Sequence, residues 1–151
     1  MVRECDAARV KSWVDEAEKE GARILCGGDR DGTMMQATLL DDAKTGMKVC
    51  REELFGPALA VLRVKDIDEA IKLANDTNFG LSAGVFTQDI DAAMRFSREV
   101  DCGNIHINWG PLWRTDGMPY GGMKQSGIGR EGPKYAIEEM TEMKAVVIHS
   151  Q

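Results

Sequence analysis

The chain has 151 residues, the size of one domain of about 100–200 residues, and can bury a core without staples. Apolar residues make up 43% and charged residues 29%, which excludes wholesale disorder and collagen-like repetition. Lys and Arg total 19 against 25 Asp and Glu, a formal charge of −6 with no basic run, so a nucleic-acid or anionic-membrane surface is not expected. The longest apolar stretches, such as Ala58–Leu62 and Ala145–Ile148, fall far short of the roughly 18 residues of a membrane span. Arg3, Glu4 and Asp6 interrupt the N-terminus where a signal peptide would carry its apolar stretch. The expectation is a cytoplasmic protein.

In chain order, Asp6 is placed to cap a helix whose Val10, Trp13, Val14 and Ala17 share one face. Gly21 ends it, and Arg23–Cys26 reads as a short strand closed by Gly27 and Gly28. Residues 29–35 form a polar turn around Gly32. Gln36–Leu40 is the next strand and Met47–Cys50 a weaker one. Ala58–Val64 reads as a buried strand. Asp66 and Glu69 then make a D-x-x-E capping box ahead of Ile67, Ala70, Ile71 and Ala74. Asn78–Gly80 is a turn and Ser82–Thr87 a strand. Asp89 opens a helix with Ile90, Ala93, Met94 and Val100 inward, and Cys102–Asn108 returns as a strand. Strands and helices alternating with short links predict an α/β fold, three-layer α/β/α around a mostly parallel sheet.

After Asn108 the periodicity stops. Residues 109–132 hold seven glycines and two prolines with no period of 2 or 3.6. Pro133 begins a short helix at its favoured first position, and Lys144–His149 reads as a final strand. A long irregular segment in a compact domain is more often functional than incidental. This one leaves the C-terminal end of a presumed parallel strand, where open α/β sheets place ligands.

Four cysteines, at 5, 26, 50 and 102, form no C-x-x-C. With only His106 and His149 to join them they predict reduced structural thiols and no metal site. Gly127-Ile128-Gly129-Arg130-Glu131-Gly132 spells G-x-G-x-x-G, but no strand precedes it and no second strand follows to place a ribose-binding acid. Its glycines are read as turn formers. Arg51-Glu52-Glu53-Leu54-Phe55-Gly56-Pro57 admits two readings: an exposed charged corner, or a carboxylate that accepts from a sugar diol beside the apolar face of Phe55.

Glu52-Glu53-Leu54-Phe55-Gly56-Pro57 resembles the E-E-x-F-G-P motif of the NAD(P)-dependent aldehyde dehydrogenases. Pro119-Tyr120-Gly121-Gly122-Met123-Lys124-Gln125-Ser126-Gly127 is similar to their P-[FY]-G-G-x-K-x-S-G segment, followed by G-R-E-G at Gly129–Gly132. Ala74–Leu81 and Gly84–Thr87 resemble the family at matching order and spacing. The resemblance runs from about Asp6 to the C-terminus. Arg114-Thr115-Asp116-Gly117-Met118-Pro119-Tyr120 looks closest to members acting on small hydroxy- or anion-bearing aldehydes, such as lactaldehyde or phosphonoacetaldehyde.

The resemblance implies a partial site. Glu53 matches the carboxylate that bonds the nicotinamide ribose of NAD or NADP, and Phe55 the aromatic beside the nicotinamide. Tyr120 matches an aromatic at the substrate tunnel, with Trp113 a second. Asn108 resembles an Asn the family retains, or is a strand cap. Arg114 meets an anionic substrate group or is a solvated loop residue. The family's thiol nucleophile after Gly-Gln, its general-base Glu in E-L-G-G, its oxyanion Asn and its Rossmann domain have no counterpart here. Covalent catalysis needs nucleophile, base and oxyanion donors together, so no catalytic residue is assigned.

The expectation is a C-terminal portion of such an enzyme, inactive alone: residues 1–142 as partial catalytic domain, 143–151 as a terminal strand resembling the family's oligomerisation segment. Its partners would be a second copy, as a dimer, or the missing N-terminal portion. The alternative is a non-catalytic interaction module or the complementing half of a split enzyme. A free nucleotide-binding domain is disfavoured, because Glu53 and Phe55 would touch only the nicotinamide end.

Overall fold

A computed structural model describes residues 1–150, which fall into two compact units, the first Met1–Leu73 and the second beginning at Ala74. The α/β class holds. The strands join a three-stranded ladder in the first unit and separate two-stranded ladders elsewhere.

The first unit opens with helix α1, Glu4–Lys19. Ala7, Val10, Val14 and Ala17 recur at helical spacing and are fully buried. Asp6 does not cap it. Arg3 occupies the N-cap without a side-chain bond, and Asp6 lies in the first turn, gripped by Arg3 Nε and Nη2 at 2.8 and 2.9 Å. A carboxylate there still complements the helix dipole. The helix stops at Gly21, whose φ of 103° suits a residue without Cβ.

Strand β1 is Arg23–Cys26. The expected polar turn is instead a tight hairpin over Gly32 made by β2, Arg30–Asp31, and β3, Met34–Met35. Strand β4, Thr38–Asp41, is central: antiparallel to β1 on one side, parallel to β5, Ala58–Ala60, on the other. Leu40 packs with Val10, Val14, Ala17, Met47 and Val49 in the core of this unit. Met47–Cys50, expected as a strand, belongs to a short helix α2, Lys48–Arg51. A four-residue stretch is too short to distinguish strand from helix by periodicity. The Lys44–Met47 turn, closed by Met47 N–H to Lys44 O at 3.0 Å, sets the helical direction. The opposite face of the ladder is open. Leu39 and Leu59 pair across β4 and β5, and Leu59 and Leu25 are exposed.

The second unit begins within helix α3, Ile67–Asn75. Asp66 caps it by accepting from Glu69 N–H at 2.9 Å. Glu69 reaches back to Lys65 N–H, also 2.9 Å, one residue earlier than in the standard box. The remaining elements are β6 (Phe79–Gly80), β7 (Ser82–Val85), α4 (Ile90–Glu99), β8 (Asn104–Ile107), β9 (Met123–Lys124) and α5 (Pro133–Met140). Strands β7 and β8 are parallel and in register from Ser82↔Asn104 to Val85↔Ile107, with α4 as their crossover. Asp89 caps α4 as expected, Oδ1 accepting from Asp91 and Ala92 N–H. The buried face of α4 is Ala93 and Phe96, continued by Val100. Ile90 and Met94, expected inward, are exposed. Residues 141–150 form no strand. Lys144–His149 has the right residues, but a strand exists only by hydrogen bonding to a neighbour, and no described residue supplies one.

One charged group, Asp41, is buried inside the first unit, in addition to the buried Thr38 at the start of β4. The Asp41 side chain is 4% exposed and receives Arg63 Nη2 at 2.6 Å and Arg23 Nη2 at 2.8 Å. Its other oxygen accepts from Asp42 N–H at 2.9 Å. The Arg63 bond, then the Asp42 amide and the Arg23 bond, hold this carboxyl below the usual aspartate range. A depressed native pKa stabilises the fold above the unfolded value of about 3.9 and ceases to do so as pH falls through the native value. Asp41→Asn should therefore lower the urea midpoint at neutral pH, with a deficit that shrinks as pH falls below about 4. A deficit of equal size at neutral and strongly acid pH would contradict this role.

Candidate functional site

The glycine-rich segment 109–132 has no apolar periodicity to pack it, so polar staples within the second unit hold it. Lys124, at φ 56°, donates from Nζ to the carbonyls of Asn75 and Thr77 at 3.0 and 3.2 Å. Ser126 Oγ accepts from Gly80 N–H at 2.9 Å, and Gln125 N–H donates to Asn78 O at 2.9 Å. The Asn104 amide donates to Pro119 O at 3.0 Å. Arg130 Nη1 donates to Gly122 O and Gly129 O, while Glu139 accepts from Arg130 N–H at 3.1 Å. Gly103 has no substitute here, because a Cβ would overlap the Gly121 carbonyl.

So fixed, the segment presents a compact group of side chains. Tyr120 and Glu131 exchange backbone bonds, Tyr120 N–H to Glu131 O at 3.1 Å and the reverse at 2.6 Å. The Arg114 guanidinium lies over the Tyr120 ring, 4.6 Å from its centroid, and donates from Nη1 to Glu131 Oε2 at 2.9 Å. Trp113 meets His106 edge-on at 6.4 Å. Both line a pocket of about 520 Å³ completed by Ile105, Ile107, Trp109 and Met118. Trp113, Arg114 and Tyr120 are thus gathered in one region of one unit. Asn108 stands at φ 56° and its Oδ1 accepts from Thr87 N–H at 2.8 Å, the strand-cap role.

Glu53 and Phe55 lie in the first unit. Arg9, stacked on Trp13 at 4.5 Å, donates to the carbonyls of Glu53 and Leu54 at 3.4 and 3.1 Å. The backbone is gripped while the Glu53 carboxylate, exposed, carries no hydrogen bond to any described residue. Phe55 adopts φ 43° and is 81% exposed. An open carboxylate acceptor beside an uncovered ring fits a ribose diol next to a flat heterocycle.

The thiols are poor nucleophiles where burial is felt. Desolvation pushes Cys50 up, and Cys102 up despite opposing bonds from backbone groups, which lowers the thiolate fraction. All four cysteines are free. Two contributors escaped the sequence reading. His106 gave no local cue beyond strand alternation, and Glu131 is seventeen positions from its partner Arg114, so no spacing rule links them.

The profile of the aldehyde dehydrogenase family matches residues 1–146. The 3-sulfolactaldehyde dehydrogenase of Priestia aryabhattai is 50% identical over 149 residues, 99% of this chain and 31% of that protein. Among solved structures, aldehyde dehydrogenase 21 of Physcomitrella patens, in complex with its reaction product succinate, superposes with a TM-score of 0.93 at 38% identity, covering 98% of this chain and 31% of that one. Glyceraldehyde-3-phosphate dehydrogenase of Methanocaldococcus jannaschii, complexed with NADP, also gives 0.93, at 37% identity over 98% of this chain and 32% of that one. The chain spans about a third of the length of the relatives it matches.

Proposed function

This chain belongs to the aldehyde dehydrogenase family, and we propose that it forms the C-terminal third of an NAD(P)-dependent enzyme oxidising an aldehyde that carries a second, anionic group. The observation that carries this is Arg114, held over the Tyr120 ring next in sequence to Trp113 and its pocket. The relatives' names point the same way, since a sulfonate, a phosphate and a second carboxylate are each an anion at some distance from the reacting carbon.

In the complete enzyme a bound NAD(P) would supply the hydride acceptor that aldehyde oxidation requires. This chain's part is placement. Glu53 would accept from the ribose hydroxyls, and Phe55 would offer its ring beside the nicotinamide. Trp113 and Tyr120 exclude water from the substrate's path, and Arg114 orients the anionic end. Holding reactants in register is worth several kcal/mol of the barrier, but only where a nucleophile is present. No cysteine here stands in the nucleophile's sequence setting, so the chain alone is inactive. With one carboxylate and one ring offered to NAD(P), binding by the isolated chain is weak, because these contacts do not offset the cost of association.

The apolar surfaces of the isolated chain support its dependence on a partner. Leu25 and Leu59 on the sheet face, and Val146, Val147 and Ile148 in the terminal segment, are exposed. Contiguous apolar surface and unpaired extended backbone favour association. We assign these surfaces to the remainder of the enzyme, with pairing between two copies when that remainder is absent.

Two measurements test this. The chain alone should show no NAD(P)-dependent aldehyde oxidation. Fused behind the upstream two-thirds of the Priestia relative it should turn over, with Glu53→Gln raising the KM for cofactor roughly tenfold through one lost charge-assisted bond. Turnover by the chain alone that a Cys→Ala variant abolishes would overturn the assignment. Sedimentation of the isolated chain at tens of micromolar should show a dimer that deletion of residues 143–151 disrupts, and a clean monomer would contradict the pairing.

A further inference from the structure

The geometry points to Glu131 as a specificity-determining residue that makes the Arg114 seat favour a singly charged group over a doubly charged one. The inference rests on the reading of Arg114 as the anion seat, and concerns which anion that seat takes.

The guanidinium is used on one corner only. Nη1 is bonded to Glu131 Oε2 at 2.9 Å, and no described residue accepts from Nε or Nη2. That free edge is a planar two-donor fork, the geometry that matches two oxygens of a carboxylate, sulfonate or phosphate. The Tyr120 ring lies against the guanidinium, its centroid 4.6 Å from Cζ. Glu131 cannot withdraw easily, because its own backbone is tied in both directions to Tyr120. An anion on the free edge therefore sits against a guanidinium whose charge is already countered from the other side.

The consequence lies in how each contribution scales with ligand charge. Attraction to Arg114 and repulsion from Glu131 both grow in proportion to the charge on the ligand. The cost of removing the ligand from water grows with the square of that charge, as Born solvation requires. Beside an uncompensated Arg, a second negative charge gains attraction to set against its hydration. Beside a neutral Arg–Glu pair it gains little and still loses hydration. The seat as built selects the monoanion.

Methanesulfonate and sulfate make the test, since both present a tetrahedral set of sulfur-bound oxygens, are fully ionised at neutral pH, and differ by one charge. Each is titrated into the 151-residue chain at constant ionic strength, followed by the amide signals of Tyr120 and Glu131 and, where retained, the Arg114 Nε signal. The parent chain should prefer methanesulfonate. Glu131→Gln should shift the affinity ratio toward sulfate by about twofold or more, the size expected for one unit charge at a screened surface site. Glu138→Gln on α5 removes the same charge from a solvated Lys134 pair and should leave the ratio unchanged. Amide spectra that overlay outside the segment confirm that each variant is folded.

If Arg114→Gln leaves both titrations as they were, or the parent chain binds neither anion, the anion-seat reading falls and the role of Glu131 falls with it. If Arg114→Gln abolishes both while Glu131→Gln leaves the ratio unmoved, or Glu138→Gln moves it equally, the seat stands and the assignment to Glu131 is overturned.

Discussion

Every candidate substrate contact of this chain depends on a segment that has no hydrophobic reason to hold its shape. Residues 109–132 are rich in glycine and carry their aromatic and charged side chains outward, so burial cannot fix them. What fixes them is the attachment of Lys124 and Ser126 to the stretch Asn75–Gly80. That stretch is itself secured, because the Asn75 side chain donates to Glu99 O at 2.7 Å and accepts from Asp101 N–H at 2.8 Å. The end of α3, the end of α4 and the glycine-rich segment are thereby joined through backbone groups that would otherwise stand unpaired. Only the Gly80 N–H to Ser126 Oγ bond is partly buried; the others are exposed, so the anchoring rests on several modest bonds, each of about 0.5–1.5 kcal/mol.

Much of this was legible from sequence where one residue acts on its immediate neighbours. Asp89 capping α4, Pro133 opening α5, Gly21 closing α1 and the Val10–Ala17 stripe are local effects, and the structure has them. The failures have a common cause in distance or in brevity. Met47–Cys50 was too short a run to separate strand from helix. Ile90 and Met94 fit the helical spacing of α4, yet the buried face turns out to centre on Phe96. Asp6 has the chemistry of a cap but sits inside the first turn, where Arg3 takes it. Lys144–His149 reads as a strand because β propensity is intrinsic, whereas a ladder is a property of two segments.

The candidate site divides along the same line. Glu53, Phe55 and Tyr120 were named because motifs in fixed order carried them, Arg114 because of the phrase Arg114–Tyr120, and Trp113 as a second aromatic of the same loop. The partners that give them chemical character were not, since each is remote in sequence. Arg9 holds the Glu53 backbone from forty-four positions away, and Glu131 meets Arg114 across the glycine-rich segment. A motif identifies which residue types are present, and only the folded segment shows which donors remain free. The unsatisfied edge of Arg114 belongs to the second kind of fact.

The central claim is that polar staples, and not burial, hold the substrate-side segment in its presenting shape. Amide hydrogen exchange at Tyr120 and Glu131 reads it directly, because their reciprocal backbone bonds persist only if the segment is anchored. In the parent chain both amides should exchange slowly, and Ser126→Ala combined with Lys124→Met should accelerate them by about tenfold or more, as expected for the loss of roughly 1.4 kcal/mol of anchoring, while the amides of β7 and β8 keep their protection. Unchanged protection of Tyr120 and Glu131 in that double variant would contradict the account.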